Sequence, residues 1–270
     1  MDSSEKTTYI VIAIIAIIAF ALIAVLILKD GGEKKDNNIN STSAKNATLN
    51  TTNTAEEKEN NLDENFDYEA AAEKQMEEPA PGETIAVMHV KGYGDITLKF
   101  FEDRAPKAVE NFLTHARDGY YNGVKFHRVI DEFMIQGGDP LGNGTGGESI
   151  WGKGFEEEFD QSLVPYRGAL CMASSGVGTS SLGSQFFIVQ ANYDQSSEAM
   201  ISYYGFPTSL ATTYKKYGGA LHLYQNYTVF GQVVEGMDVV DKIAKVEVTG
   251  SENSTPVEDV IIESIEVKTK

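Results

Sequence analysis

Cysteine is nearly absent: Cys171 is the single one in 270 residues. One thiol cannot close an internal disulfide. In "GALCMAS" it sits in a short apolar run with no basic neighbour. It therefore reads as a small buried hydrophobe rather than a nucleophile. Positive charge is scarce too: 22 Lys and Arg stand against 40 Asp and Glu, a formal net charge of -18. A nucleic-acid partner needs a basic face for its phosphates, so nucleic acid is excluded as the main partner. His89, His115, His127 and His222 show no metal-ligand spacing and no H-E-x-x-H pattern, so no metal is expected. A Gly-Lys-Ser/Thr phosphate loop and a G-x-S-x-G nucleophile elbow are both missing. No cofactor is expected, and no internal repeat is visible.

What is present divides the chain in three. Tyr9 to Leu28, "YIVIAIIAIIAFALIAVLIL", carries no charge. A helix of this length, at about 1.5 Å per residue, spans the roughly 30 Å core of a bilayer. Residues 1–29 are therefore expected to form a single transmembrane anchor. A cleaved signal peptide fits less well, because the small-x-small triplet Ala19-Phe20-Ala21 lies inside the apolar run. Residues 30–82 are rich in Asn, Thr, Ser, Glu and Lys with few large apolar side chains. Such a segment buries too little to offset its ordering entropy and reads as a disordered acidic linker, with a transient helix over Leu62 to Met76.

From residue 83 to 270 the texture is that of a folded domain. "TIAVMHV" and "ITLKFF" flank "GYGD" as two strands and a turn. "APKAVENFLTHARDG" reads as a helix, with Pro106 in its first turn, Val109, Phe112 and Leu113 on one face, and Gly119 at its end. "VKFHRVI", "FMIQGG", "GALCMAS", "SQFFIVQ" and "YTVFGQVV" are short strand-like runs. "GMDVVDKIAKV" is a second helix and "VEDVIIESIEV" a closing strand. Many strands with two helices predict a mainly β domain, a closed barrel with helical caps.

The stretch "FHRVIDEFMIQGGDPLGNGTGG" (residues 126–147) contains a G-x-G-x-x-G match. A dinucleotide fingerprint needs a helix directly after its glycines. Here "ESIWGKGFEEEFD" follows, without an apolar stripe, so nucleotide binding is not expected. The part before the glycines is more informative. Strand alternation puts His127 on the opposite face from Phe126 and Arg128. A regular strand also puts Phe133 and Ile135 on one face, Met134 and Gln136 on the other. Gln185 and Phe187 share a face. An arginine beside glutamines and apolar residues suits a groove, although a solvated arginine is the plainer alternative.

These blocks, with "GSQFFIVQ", "YTVFGQVVEGMDVVDKI" and the upstream "APKAVENF", resemble a cyclophilin-type peptidyl-prolyl cis-trans isomerase. The resemblance spans about Thr84 to Val267. It implies an eight-stranded antiparallel barrel, closed and capped by two helices, with the active groove on its outer face. It carries the catalytic roles onto Arg128, Gln185 and Phe133, and substrate contacts onto Met134, Gln136, Ala173, Ser174, Phe187, His222, Leu223 and Tyr227. Relatives often have Asn where Ser174 stands, Trp where His222 stands and His where Tyr227 stands.

An insert of about 30 residues, 192–221, departs from the common form. It carries Tyr193, Tyr203, Tyr204, Tyr214 and Tyr217. It reads as a surface excursion covering the barrel, or as a flap that touches clients.

The function implied is X-Pro isomerisation in Pro-containing segments of unfolded or extended client proteins, by a monomer without cofactor or metal. The alternative is a tethered chaperone or Pro-peptide binding module with little turnover. The anchor and the acidic spacer resemble tethered bacterial foldases, which places the domain outside the cell membrane. The lysines after the apolar run, Lys29, Lys34 and Lys35, argue weakly for the opposite orientation.

Overall fold

The computed structural model describes residues 63, 65–174, 180–193, 197, 201, 206–250, 252 and 254–270. The expected anchor and most of the expected linker lie outside the described residues. Among the described residues no helix is long and apolar enough to cross a membrane. Asn60–Lys270 forms one unit.

In chain order the elements are α1 (Tyr68–Met76), β1 (Thr84–Val90), β2 (Gly94–Phe100), α2 (Pro106–Arg117), β3 (Arg128–Ile130) and β4 (Met134–Gly137). Then come β5 (Ala169–Ser174), β6 (Leu182–Val189), α3 (Thr208–Tyr217) and a 3-10 turn, Leu221–Leu223. The chain ends with β7 (Val229–Glu235), α4 (Met237–Ala244), the short strands β8 (Val248–Thr249) and β9 (Thr255–Pro256), and β10 (Ile262–Thr269).

Eight strands form one antiparallel sheet in the order β10-β1-β2-β7-β5-β6-β4-β3. The strand number matches the expectation; closure does not. The sheet curls into a half-barrel, and β3 and β10 remain edges. Among the described residues a short seam links their approaches: Gly123 N donates to Ile262 O (2.8 Å), Ile262 N to Val124 O (2.9 Å) and Phe126 N to Val260 O (2.9 Å). Past the seam β3 turns to a different partner, with Val129 N donating to Ser254 O (2.7 Å) beside the β8–β9 hairpin. With β4 on one side and Ser254 on the other, β3 has no side left for β10.

The two expected helices are α2 and α4. Proline stands in the first turn of α2, and its buried stripe includes Val109, Phe112 and Leu113. α4 buries Val239, Val240 and Ile243. With Phe186, Phe230 and the inward residues of the sheet, both helices fill the half-barrel.

Two further helices correct the reading of a two-helix domain. α3 lies in the insert, and α1 lies inside what reads as linker. α1 falls within the expected transient helix of Leu62 to Met76 but is a docked element, with Tyr68, Ala72 and Gln75 buried at i, i+4, i+7 spacing, one of them polar and one small. Asp67 caps it, accepting from Ala70 N (2.9 Å). The ordered domain therefore begins before residue 83. α1 and α3 pack with Tyr166, Leu221 and Tyr224 in a separate cluster outside the sheet. The described part of the insert thus covers the domain; Tyr203 and Tyr204 lie outside the described residues.

Candidate active site

The outer face of β3, β4, β5 and β6 carries the site. Cross-strand register aligns Arg128 with Gln136, Gln136 with Phe187, and Phe187 with Cys171. All four sit on one face, while Val129, Ile135, Ile188 and Leu170 point into the interior. Gln185 follows Phe187 by two residues and shares its face. The expected pairing of Met134 with Gln136 and of Gln185 with Phe187 therefore stands.

Phe133 does not follow the regular-strand expectation. It lies in the tight turn between β3 and β4, beside Glu132 with φ 58. The turn releases it from the alternation, and it packs against the outer cluster of Met134, Phe187, Leu223 and Val229. His222 covers it, with ring centroids 5.2 Å apart and an interplanar angle of 36°. Tyr227 stands edge-on to Phe187 (5.4 Å, 85°). Burial pushes the Tyr227 phenol up, so it presents a neutral hydroxyl.

The result is an apolar patch with one cation beside it. Met134, Phe187 and Leu223 are buried in it, with Phe133 and Tyr227 packed against them. A row of amides holds the arginine. Arg128 Nη1 donates to Gln136 Oε1 (3.4 Å), and Gln136 Nε2 donates to Gln185 Oε1 (3.0 Å). Gln185 Nε2 in turn donates to the carbonyls of Gly144 (3.1 Å) and Gly146 (2.7 Å). The glycine loop thus fixes the far end of the row.

Asp139 anchors that loop. It accepts from the backbone N–H of Leu141 (2.8 Å), Asn143 (3.1 Å) and Gly144 (2.7 Å). Burial pushes its carboxyl up, but these N–H donors outweigh it and hold the carboxyl below its usual range. Gly138, with φ +85, approaches β6 so closely that a Cβ would lie 2.5 Å from Ser184 O. His127 is buried under Gly144 and does not join the row.

Ala173 and Ser174 lie at the end of β5, beyond Gln136. With Gln185, Lys153 and the 144–149 loop they line a polar cavity of ≈ 330 Å³ that extends the groove. Ser174 Oγ pairs with Ser181 Oγ (2.6 Å). The structure therefore brings all eleven expected residues to one outer surface.

Glu252 joins the site from outside every expected motif. Its carboxylate lies 3.8 Å from Arg128 Nε, and its side chain is 70% exposed. No local pattern signals it, because the loop after β8 reaches β3 only through the fold. An exposed pair at that distance is weak and leaves the guanidinium available to a ligand. Among the described residues no group of three His, Cys, Asp or Glu side chains gathers as a metal site.

The family model described as cyclophilin type peptidyl-prolyl cis-trans isomerase/CLD matches residues 85–267. A protein of Staphylococcus saprophyticus whose name assigns it as a peptidyl-prolyl cis-trans isomerase is 48% identical over 184 residues, 67% of this chain and 90% of that one. A Streptococcus pyogenes protein, named as a bifunctional phosphatase/peptidyl-prolyl cis-trans isomerase, is 51% identical over 189 residues. That match spans 69% of this chain but 38% of the longer relative. Among solved structures, a Cryptosporidium parvum cyclophilin type isomerase, crystallised in the presence of the dipeptide Ala-Pro, superposes with a TM-score of 0.55 at 30% identity. It covers 69% of this chain and 99% of that one. Sequence, fold and groove agree: the chain belongs to the cyclophilin-type peptidyl-prolyl cis-trans isomerases.

Proposed function

We propose that the groove takes an extended client segment, seats a proline ring on Met134, Phe187 and Leu223, and catalyses rotation of the preceding bond through Arg128. The barrier to that rotation, roughly 18–20 kcal/mol, comes from amide resonance. In the twisted amide the prolyl nitrogen loses conjugation and gains basicity. A guanidinium aimed at it binds the twisted form better than the planar one. Arginine keeps its charge at any working pH. Gln136 and Gln185 orient the guanidinium and hold substrate backbone. Phe133, His222 and Tyr227 close the sides, and Ala173 and Ser174 meet the residues preceding the proline.

The observation that carries this reading is the cation beside an exposed-face apolar cluster, tied to a row of amides instead of a buried carboxylate. The test is exchange of a short Ala-Pro peptide by the full chain and by Arg128→Ala. Turnover should fall by about 100-fold or more on losing the electrostatic group. Equal rates would remove Arg128 from the mechanism. Tight peptide binding without turnover by the intact protein would select the chaperone or binding-module reading, which the Ser and Tyr at 174 and 227 keep in view.

We further propose a monomer, anchored by Tyr9–Leu28, with its domain outside the cell. The uninterrupted apolar run and the acidic Asn/Thr-rich spacer support this reading. Protease shaving of intact cells checks it: survival of the domain would place it inside.

A further inference from the structure

We infer that α1, which lies N-terminal to the family-matched region, positions the wall of the proline pocket. The inference rests on the groove assignment above. The 3-10 turn is a ridge with two sides. Leu223 points to the groove cluster, next to His222 over Phe133. Leu221 and Tyr224 point the other way, into the cluster built by α1 and α3. The placement of that second side therefore sets the placement of the first.

Two hydrogen-bonded routes tie α1 to the ridge. In the first, the Gln75 side chain grips both backbone groups of Val164. Its Nε2 donates to Val164 O (2.8 Å), and its Oε1 accepts from Val164 N (3.0 Å). The next carbonyl, Pro165 O, accepts from Ala220 N (2.9 Å) at the foot of the ridge. In the second, Tyr68 and Tyr224 bring their hydroxyls to 3.4 Å and share Gln161. Gln161 Nε2 donates to the Tyr68 hydroxyl (3.0 Å), and the Tyr224 hydroxyl donates to Gln161 O (2.9 Å).

The domain is also shaped to receive α1. Lys99 is 7% exposed, and its Nζ donates to the carbonyls of Lys74 (3.2 Å) and Glu77 (2.5 Å) at the C-terminal end of the helix. A cation there satisfies orphan carbonyls and complements the helix dipole. A nine-residue helix is marginal alone in water, so α1 depends on this dock as much as the ridge depends on α1. Arg128 belongs to β3 and is held by Gln136 and Glu252, not by the ridge. Loss of α1 therefore weakens substrate seating and spares the rotation step.

The experiment uses the full chain with Gln75→Ala, with Tyr68→Ala against Tyr68→Phe, and with residues 63–82 deleted. Kinetics with an Ala-Pro peptide should show KM raised about 3- to 10-fold and kcat within about twofold, the pattern of lost uniform binding. Tyr68→Phe keeps the packing and should remain nearer to the intact value than Tyr68→Ala. A synthetic peptide of residues 63–82, added to the deletion variant, should bring KM back. If the deletion variant does not fold, Gln75→Ala decides alone. An unchanged KM in Gln75→Ala, or a fall in kcat with KM unchanged, overturns the inference. Arg128→Ala run in parallel separates the cases: normal turnover in that variant would sink the groove assignment itself.

Discussion

The half-barrel interior and the cluster beneath α1 and α3 are both buried, but they are built from different materials. The interior is almost wholly hydrocarbon, with Phe112 meeting Phe186 (5.3 Å) and Phe230 (5.5 Å). The outer layer is built on tyrosines: Tyr68, Tyr166, Tyr214 and Tyr224. Tyr166 donates to Thr213 Oγ1 (2.5 Å), which donates onward to Leu210 O (2.8 Å). Hydrocarbon packing is non-directional and scales with area, whereas hydroxyl pairs fix one geometry. The interior makes the fold; the outer layer fixes how one ridge sits on it.

The largest expected effect tests the interior. Phe112→Ala removes an aromatic ring from its centre and should cost about 3–5 kcal/mol in denaturant unfolding. A loss below about 1 kcal/mol would mean that the interior is not the main source of stability. Alkaline pH addresses the outer layer next. Burial pushes the phenols of Tyr166, Tyr214 and Tyr224 up. Raised folded-state values mean that the unfolded chain gives up its protons first. The stability they contribute is complete below the ordinary tyrosine value of about 10 and is lost as pH rises beyond it. Tyr121 in the interior is raised by burial too and adds to the same fall. The thermal midpoint should therefore drop above pH ~10, and less steeply in Tyr214→Phe; equal slopes would contradict the assignment.

The smallest effects separate hydroxyls within the layer. Tyr166→Phe breaks a hydrogen bond and should cost about 1 kcal/mol. The Tyr214 hydroxyl has no partner among the described residues, so Tyr214→Phe should be neutral or slightly stabilising. Equal costs for the two variants, measured by denaturant titration, would show that ring packing alone holds the layer.

Much of this was legible in the sequence because it depends on local period. The strands around Met134 and Gln185 alternate, and α2 and α4 carry apolar stripes at helical spacing; the expected shared face of Phe126 and Arg128 does not hold, because β3 begins only at Arg128 and Phe126 points into the interior with Val129. Alternation singles out Arg128, Gln136, Gln185 and Phe187; the roles of the groove residues, and the inclusion of Ala173, Ser174, His222, Leu223 and Tyr227, come from the resemblance to the cyclophilin-type family. What escaped depends on partners far along the chain. A helix is expected within Leu62 to Met76, but only as a transient one: the docking of α1 rests partly on an amide, Gln75, whose partners lie 89 and 157 residues away. Glu252 meets Arg128 only after folding. Phe133 changed faces through the conformation of Glu132, which no propensity for glutamate announces. The sheet's edge at β3 reflects its second partner, Ser254, which is likewise distant in sequence.

The loop after β4 has one more consequence. A glycine-rich turn that aims successive N–H groups at one point is a general receptor for an anion. In this chain the anion is supplied internally, by the carboxylate of Asp139. The loop is self-liganded: its guest is covalently attached, is present in every molecule and does not exchange. The same physics that elsewhere recruits a phosphate here fastens one end of the amide row that aims the arginine.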